Sequence, residues 1–431
     1  MPPGAFPGRR RDDGYRQTKG GTAVPIVTEQ SDRGQPDPGW VVGVDTHTDT
    51  HAAAIVDHLG RIHGEIQVPA DLAGNQRLTA WASDLVPAEV PVCWSVEGTR
   101  SHGHGLVRHL LAAGHIVVEA PKPVSGTRRR GGKSDALDAV HAVRAALSHA
   151  QLATPRADGP REALRMLLVT RRHHTDTRTA TVNLFKSLIL TATSLRETLR
   201  GLPTAAQVRT VLAIHASPDT DLEDSIRLQQ LNLLARQITD LDNILAANYK
   251  QLRALASQIC GALLVQPGVG PCAAATLLTA WSHRGRVRSE AAFASLAGVS
   301  PLITGSGRHH RHRLNRGGDR ALNAALHTIV ITRRRMNHPA TSDYITRRTG
   351  EGRTPGDILR CLKRYSARQL FRIMQSCAMP FGTGFGTGRI SCAHCRQGDA
   401  ATSAAGEADW DWMHRYRCAT NPTSRASSPA F

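Results

Sequence analysis

Four carboxylates in this chain are spaced for metal-assisted phosphoryl transfer. Asp45 closes the apolar run WVVGVD at 40–45, and Glu97 follows the apolar run VPVCWSV at 90–96. Asp135 and Asp138 lie three residues apart in the first turn of a helix predicted over 134–150, hence on one face. Acids brought together from three elements repel unless cations sit among them. Hard oxygen ligands with open positions suit Mg²⁺, and two such ions activate a water or hydroxyl and stabilise the leaving oxygen of a phosphodiester. Plainer readings exist for two of the four. Asp135 complements a helix N-terminus behind Ser134, and Asp138 pairs with a neighbouring base. Asp45 gains nothing structurally from ending a hydrophobic strand between Val44 and Thr46-His47.

Positive charge surrounds this set. Arg128, Arg129, Arg130 and Lys133 immediately precede Asp135, as a scissile phosphate backbone requires, although a solvated loop would look similar. A second basic segment, GVSPLITGSGRHHRHRLNRGGDR at 298–320, sets Ser306 between glycines and ahead of Arg308, Arg311, Arg313 and Arg316. Those guanidinium groups suit phosphates and transition-state charge. A serine without a nearby base is a poor nucleophile, so on the residues alone Ser306 reads as a linker position. His309, His310 and His312 have no acid or Cys close by and read as backbone-binding rather than metal-binding. In LLVQPGVGPCAAATLL, at 263–278, apolar helical turns flank Pro267-Gly268-Val269-Gly270. Gly268 and Gly270 allow a tight turn that presents backbone N–H groups, the helix-hairpin-helix way of gripping a phosphate; an ordinary helix–helix turn is the alternative.

The elements needed to position these residues follow from hydrophobic periodicity. Segments 40–45, 51–57 and 61–68 predict an antiparallel three-stranded meander. Helix 72–85, strand 90–96, helix 103–113, strand 115–120 and helix 134–150 come next. Three strands followed by alternating helix and strand is the order of a ribonuclease-H-like α/β domain, placed at 39–152. In such a sheet the ends of the first and fourth strands are neighbours, which brings Asp45 beside Glu97. Region 155–256 has no convincing strand. Its positions Leu231, Leu234, Ile238, Leu241, Leu245, Asn248 and Leu252 step as a heptad seam, which predicts a coiled-coil region offering an interchain surface; a helix packed inside one chain is the alternative. A mostly helical domain at 257–378 follows. The flanks, a leader at 1–38 and a tail at 379–431, read as disordered or low-complexity.

Composition bounds the rest. A chain of 431 residues implies two or three domains, and a formal charge of +19 before its 21 His points to a polyanionic partner. No run is long and apolar enough to span a membrane, and the N-terminus lacks a signal-peptide core, so a cytoplasmic, reducing location is expected. The eight scattered Cys exclude a disulfide-rich secreted scaffold. Cys392 and Cys395 form a lone C-x-x-C around His394; with only Cys418 nearby, free thiols are expected there rather than zinc.

Five segments together resemble the DEDD-type transposases of insertion-sequence family 110. They are VVGVDTHTDTHAAAIVD (41–57), VEGT (96–99), GGKSDALDAVHAVRAA (131–146), LLVQPGVGPCAAATLL (263–278) and FASLAGVSPLITGSGRHHRHRLNRGGDRALNAAL (293–326). Their order and spacing agree across about 40–378. The resemblance implies a RuvC-like domain with divalent metal on Asp45, Glu97, Asp135 and Asp138, a helical coiled-coil linker and a C-terminal domain with an active serine. Ser306 falls in the family's S-G position, and Ser300 in GVSP is the weaker candidate. It further implies DNA recombination through a phosphoserine intermediate, a structured RNA from the element's own end as guide, and a homo-oligomer, dimer or tetramer, in a bacterial, nucleoid-associated setting.

Two other functions fit part of the chain. A metal-dependent junction resolvase or nuclease would use the acids and leave 293–326 idle. A non-enzymatic nucleic-acid-binding protein would use both basic segments, but the clustered acids would repel its ligand.

Overall fold

The computed structural model describes residues 39–88, 90–120, 139–140, 143, 152–215, 221–303 and 312–377. The leader, the tail with its C-x-x-C, and the segments carrying Arg128 to Asp138 and Ser306 to Arg311 lie outside them.

Strands β1 (Trp40–Thr46), β2 (Thr50–Asp57), β3 (Ile62–Pro69), β4 (Val92–Val96) and β5 (Ile116–Glu119) form one mixed sheet in the order β3-β2-β1-β4-β5. The meander pairs β3, β2 and β1 antiparallel, whereas β4 and β5 join parallel to β1. This is the ribonuclease-H-like arrangement expected from the element order. Strand β1 is central, and Val41, Val42 and Val44 are all buried because both faces of the sheet are covered. One face packs on α1 (Leu72–Leu85) and α2 (His104–Ala112), where Val42, Val44, Trp94 and Val96 meet Leu78, Leu106 and Leu110. Asp71 starts α1 by accepting the Gly74 N–H at 2.7 Å. On the opposite face Val41, Val56, Cys93 and Val118 meet Val143, and Ala54 meets Ala139 and Val140.

Nine helices lying wholly within the described residues follow β5: α3 (Pro160–Leu190), α4 (Thr193–Leu199), α5 (Thr204–Ala213), α6 (Leu222–Leu264), α7 (Pro271–Trp281), α8 (Glu290–Leu296), α9 (Arg320–Arg335) and, after a turn, α10 (Pro339–Gly350) with α11 (Pro355–Ser376) completing the set. The seam of α6 packs on α3 of its own chain, the alternative to the interchain surface that the heptad pattern suggested. Asn248 Nδ2 donates to Leu167 O at 3.0 Å, Arg171 donates to Leu245 O at 2.9 Å, and Arg178 pairs with Asp242. Residue numbers fall on one helix as they rise on the other, so the pair is antiparallel. Leu231, Ile238, Leu245 and Leu252 are buried within the single chain. Leu231→Ala should therefore cost about 2–5 kcal/mol as a core cavity. Urea denaturation of Leu231→Ala against the parent at equal protein concentration checks this, and an unchanged midpoint would contradict it.

Helix α6 also runs through the domain boundary expected at 256/257, bending only at Cys260, whose φ is −158° and ψ 78°. Its last turns share a core with α7, α9 and α11: Leu252, Ala256 and Leu263 pack with Leu277, Leu326 and Leu370. Helix α7 is apolar all round and buried nearly throughout. Cys260 and Cys377 are disulfide-bonded with Cα atoms 5.4 Å apart, a pairing that the expected reducing location did not suggest, while Cys93, Cys272 and Cys361 are outside any disulfide. Two short strands, β6 (Leu302–Ile303) and β7 (His312–Arg313), pair antiparallel inside a region read from sequence as helical. Two residues per strand are too few to show a period of two. No described helix is long and apolar enough to cross a membrane.

Candidate active site

Asp45 and Glu97 come together at the ends of neighbouring parallel strands. Val44 is level with Val96, and the Glu97 N–H continues the ladder by donating to Val44 O at 2.9 Å. Thr46 Oγ1 locks the same junction by donating to Glu97 O at 2.9 Å. Gly98, at φ +62°, then turns the chain sharply. Asp45 is only 7% exposed, and His47 Nε2 lies 3.2 Å from its Oδ2.

Alternation along β1 puts Asp45 on the face of Val41 and Gly43, the face covered by Ala139, Val140 and Val143. Gly43 lets that coverage be close: a Cβ there would lie 2.5 Å from Ala139 O and 2.3 Å from a Val143 methyl. Asp135 and Asp138 lie outside the described residues, as do Arg128, Arg129, Arg130 and Lys133. Among the described residues no group of three or more potential metal ligands occurs. Asp45 and Glu97 are the two members of the proposed set that can be placed, and they are hard oxygen donors on adjacent strand ends, the donor chemistry that suits Mg²⁺.

Histidines near Asp45 were not weighed from sequence. His51 pairs across from Thr46 and is 2% exposed, with Nδ1 lacking a partner among the described residues. Burial pulls its pKa down and the ring stays neutral at pH 7. The signal was present in DTHTDTH at 45–51, where His47 comes two residues after Asp45 and His51 sits opposite Thr46 once the hairpin closes.

The second basic segment forms a β-hairpin stem. Leu302 pairs with Arg313 and Ile303 with His312, and the intervening residues, with Ser306, Arg308 and Arg311, lie outside the described set. The stem is anchored by a tight glycine contact. Gly298, at φ +64°, packs on Gly318, where a Cβ would meet Gly298 N at 2.3 Å. Asn323 Nδ2 donates to Ala297 O at 2.7 Å, and Asp319 caps α9 by accepting the Leu322 N–H at 2.9 Å. Arg313 and Arg316 are exposed on this stem, and Ser300 is half-buried with its N–H bonded to Ala294 O at 3.2 Å.

The Pro267–Gly270 turn joins α6 to α7. Gly268, at φ +77°, lies against α9, where a Cβ would approach Ile329 O to 2.7 Å. Arg333 Nε donates to Pro267 O at 2.8 Å. Packing therefore accounts for Gly268, whereas Gly270 starts α7 with open space around its Cα. Gly268→Ala should cost at least about 1–2 kcal/mol from the left-handed backbone alone, with the contact to α9 adding to it. Thermal melting of the variant checks this, and an unchanged melting temperature would contradict it.

Residues 42–193 match the DEDD transposase family model of the IS110 type, and residues 260–346 match the model for the transposase IS116/IS110/IS902 family. The first match begins in β1 and takes in both Asp45 and Glu97; the second runs from the α6 bend to α10 and takes in the hairpin stem. No curated protein matches the chain. With both halves of the architecture matched in order, the chain belongs to the IS110 family of transposases.

Proposed function

We propose that this transposase cuts and rejoins DNA at the ends of an insertion sequence, with divalent metal, Mg²⁺, on Asp45, Glu97, Asp135 and Asp138, and with the Ser306 hydroxyl as nucleophile. The observation that supports the reading is the junction of β1 and β4. Asp45 and Glu97 each follow the last paired level, Val44 and Val96, alternation turns Asp45 to the face that Ala139 covers, and Asp138 is the residue bonded to Ala139 in the chain. When bound, the metal would polarise the phosphodiester and offset its negative charge.

Ser306 Oγ attacks phosphorus, a new Oγ–P bond forms, and the bridging P–O bond breaks. The hydroxyl proton leaves Oγ and the departing oxygen gains one. A hydroxyl on a second DNA end reverses the step, releasing the serine and joining the strands. The energy of the phosphodiester is conserved in the ester, so no high-energy cofactor is needed.

Support for strand binding is electrostatic. Arg128, Arg129, Arg130 and Lys133 flank the acids in sequence, Arg308, Arg311, Arg313 and Arg316 flank the serine, and Gly268 with Gly270 offers backbone N–H groups. The +19 charge accommodates a structured guide RNA as well as DNA. Joining two DNA partners takes several strand cuts, which calls for a homo-oligomer through a surface other than the buried α6 seam. The domains run 39–152, 155–256 and 257–378 in this reading, with α6 as a continuous strut between the last two.

The test incubates the full chain with Mg²⁺, end-labelled element-junction DNA and RNA from the element's flank. A covalent protein–DNA adduct that EDTA abolishes is expected. Hydrolysed ends without adduct would instead favour the resolvase-like chemistry.

A further inference from the structure

The segment 153–158 is a strap between the sheet and the helical region, and it carries an arginine that the fold does not use. Glu119 N–H donates to Ala153 O at 2.7 Å, His283 Nε2 lies 3.1 Å from Pro155 O, and Ala157 N–H donates to Ser282 Oγ at 2.9 Å. Arg156 is thus fixed on both sides by its neighbours' bonds. Its own guanidinium is half-buried and, among the described residues, forms neither a hydrogen bond nor an ion pair.

The acids around it are engaged elsewhere. Glu119 accepts from Arg286 at 2.8 Å and from Thr99 at 3.2 Å. Glu162 holds Arg100, Arg161 and Arg165. Burial would raise the Glu162 carboxyl, but hydrogen bonds from Arg165 and Arg100 outweigh it and hold it at about 2. Asp319 caps α9. Burial, with the like charges of Arg286 and Arg100, pulls the Arg156 pKa below the ordinary arginine value, and the fields of Glu119 and Asp319 offset this only in part. A half-buried cation beside two others, with no acid bonded to it among the described residues, costs stability, and a planar guanidinium fork is shaped for a phosphate. Arg100 and Thr99 stand in the turn that begins at Glu97, so the cluster borders the candidate active site.

We infer that Arg156, with Arg100 and Arg286 beside it, binds a backbone phosphate of the DNA strand being cut, next to the reacting one. The inference rests on the proposed DNA-cutting reading, and it assigns a strand-positioning role to a residue in neither basic segment.

The test compares the full chain with Arg156→Gln for binding of a DNA duplex across a salt series, alongside an RNA oligonucleotide of equal length. The substitution should weaken DNA binding about tenfold at low salt and reduce the log–log salt slope by about 0.9, the value for one lost phosphate contact. RNA binding should be unchanged. Without nucleic acid, the melting temperature should equal or exceed that of the parent, because removing an unpaired charge relieves repulsion. An unchanged DNA slope, or a loss confined to RNA, overturns the inference. Should Arg156→Gln fold poorly, Arg156→Lys keeps the charge and should retain the parent slope; a reduced slope in that variant overturns it equally. Failure of the serine reading shows separately, as a missing adduct with the slope difference intact.

Discussion

Ser306→Ala should bind element-junction DNA as tightly as the parent chain, because no charge is lost, and yet form no covalent adduct and no recombinants. Removing a nucleophile that forms a covalent intermediate should cost at least about a thousandfold in the chemical step. The appropriate control is Ser300→Ala. Ser300 is half-buried, its N–H is bonded to Ala294 O, and it lies two residues past Gly298, which packs on Gly318. Its replacement should leave adduct formation within a few-fold of the parent. Adduct yield on labelled DNA, measured for both variants at equal bound fraction, decides the matter. If Ser300→Ala abolishes the adduct and Ser306→Ala does not, the nucleophile is in GVSP; if both recombine normally, the serine reading falls and hydrolysis through the acids remains.

Asp45→Asn should be as severe, for a different reason. Asp45 is almost buried at the end of the central strand, and Asn has nearly its shape, so β1 should keep its pairing with β2 and β4. What is lost is a negative charge and a hard donor. Strand cutting and joining in Mg²⁺ should both drop by at least about a thousandfold, a size in keeping with losing a catalytic metal ligand. Binding to DNA should persist or strengthen, since a carboxylate no longer repels the phosphate. Full activity in Asp45→Asn would remove the acids from the mechanism. Loss of DNA binding together with a lowered melting temperature would mean that the residue acts on the fold instead.

The elements around the acids were legible because their signals are local. The run WVVGVD is apolar and ends in an acid, the meander segments are separated by short turns, and each of the strands β1 to β5 lies within two residues of its expected limits. Asp71 before α1 was a readable cap. The heptad seam of α6 was legible as apolar spacing but not in its partner. A seam of Leu, Ile and Asn has the same period whether α3 or another chain covers it. Arg171, which settles the matter by reaching Leu245 O and Asn248, is 74 residues away in sequence.

The sequence by itself determined the order of strands and helices, the acids at 45 and 97 and the family, because spacing of apolar residues and short motifs are properties of neighbouring positions. Tertiary structure decided that the α6 seam packs on α3, why Gly43 and Gly268 must be glycine, and that Arg156 has no bonded acid among the described residues. Each of these depends on atoms brought together from distant segments. A glycine reveals its reason only when a backbone arrives over it, and Arg156 lacks a bonded acid among the described residues only because Glu119 and Glu162 are taken by Arg286, Arg100, Arg161 and Arg165.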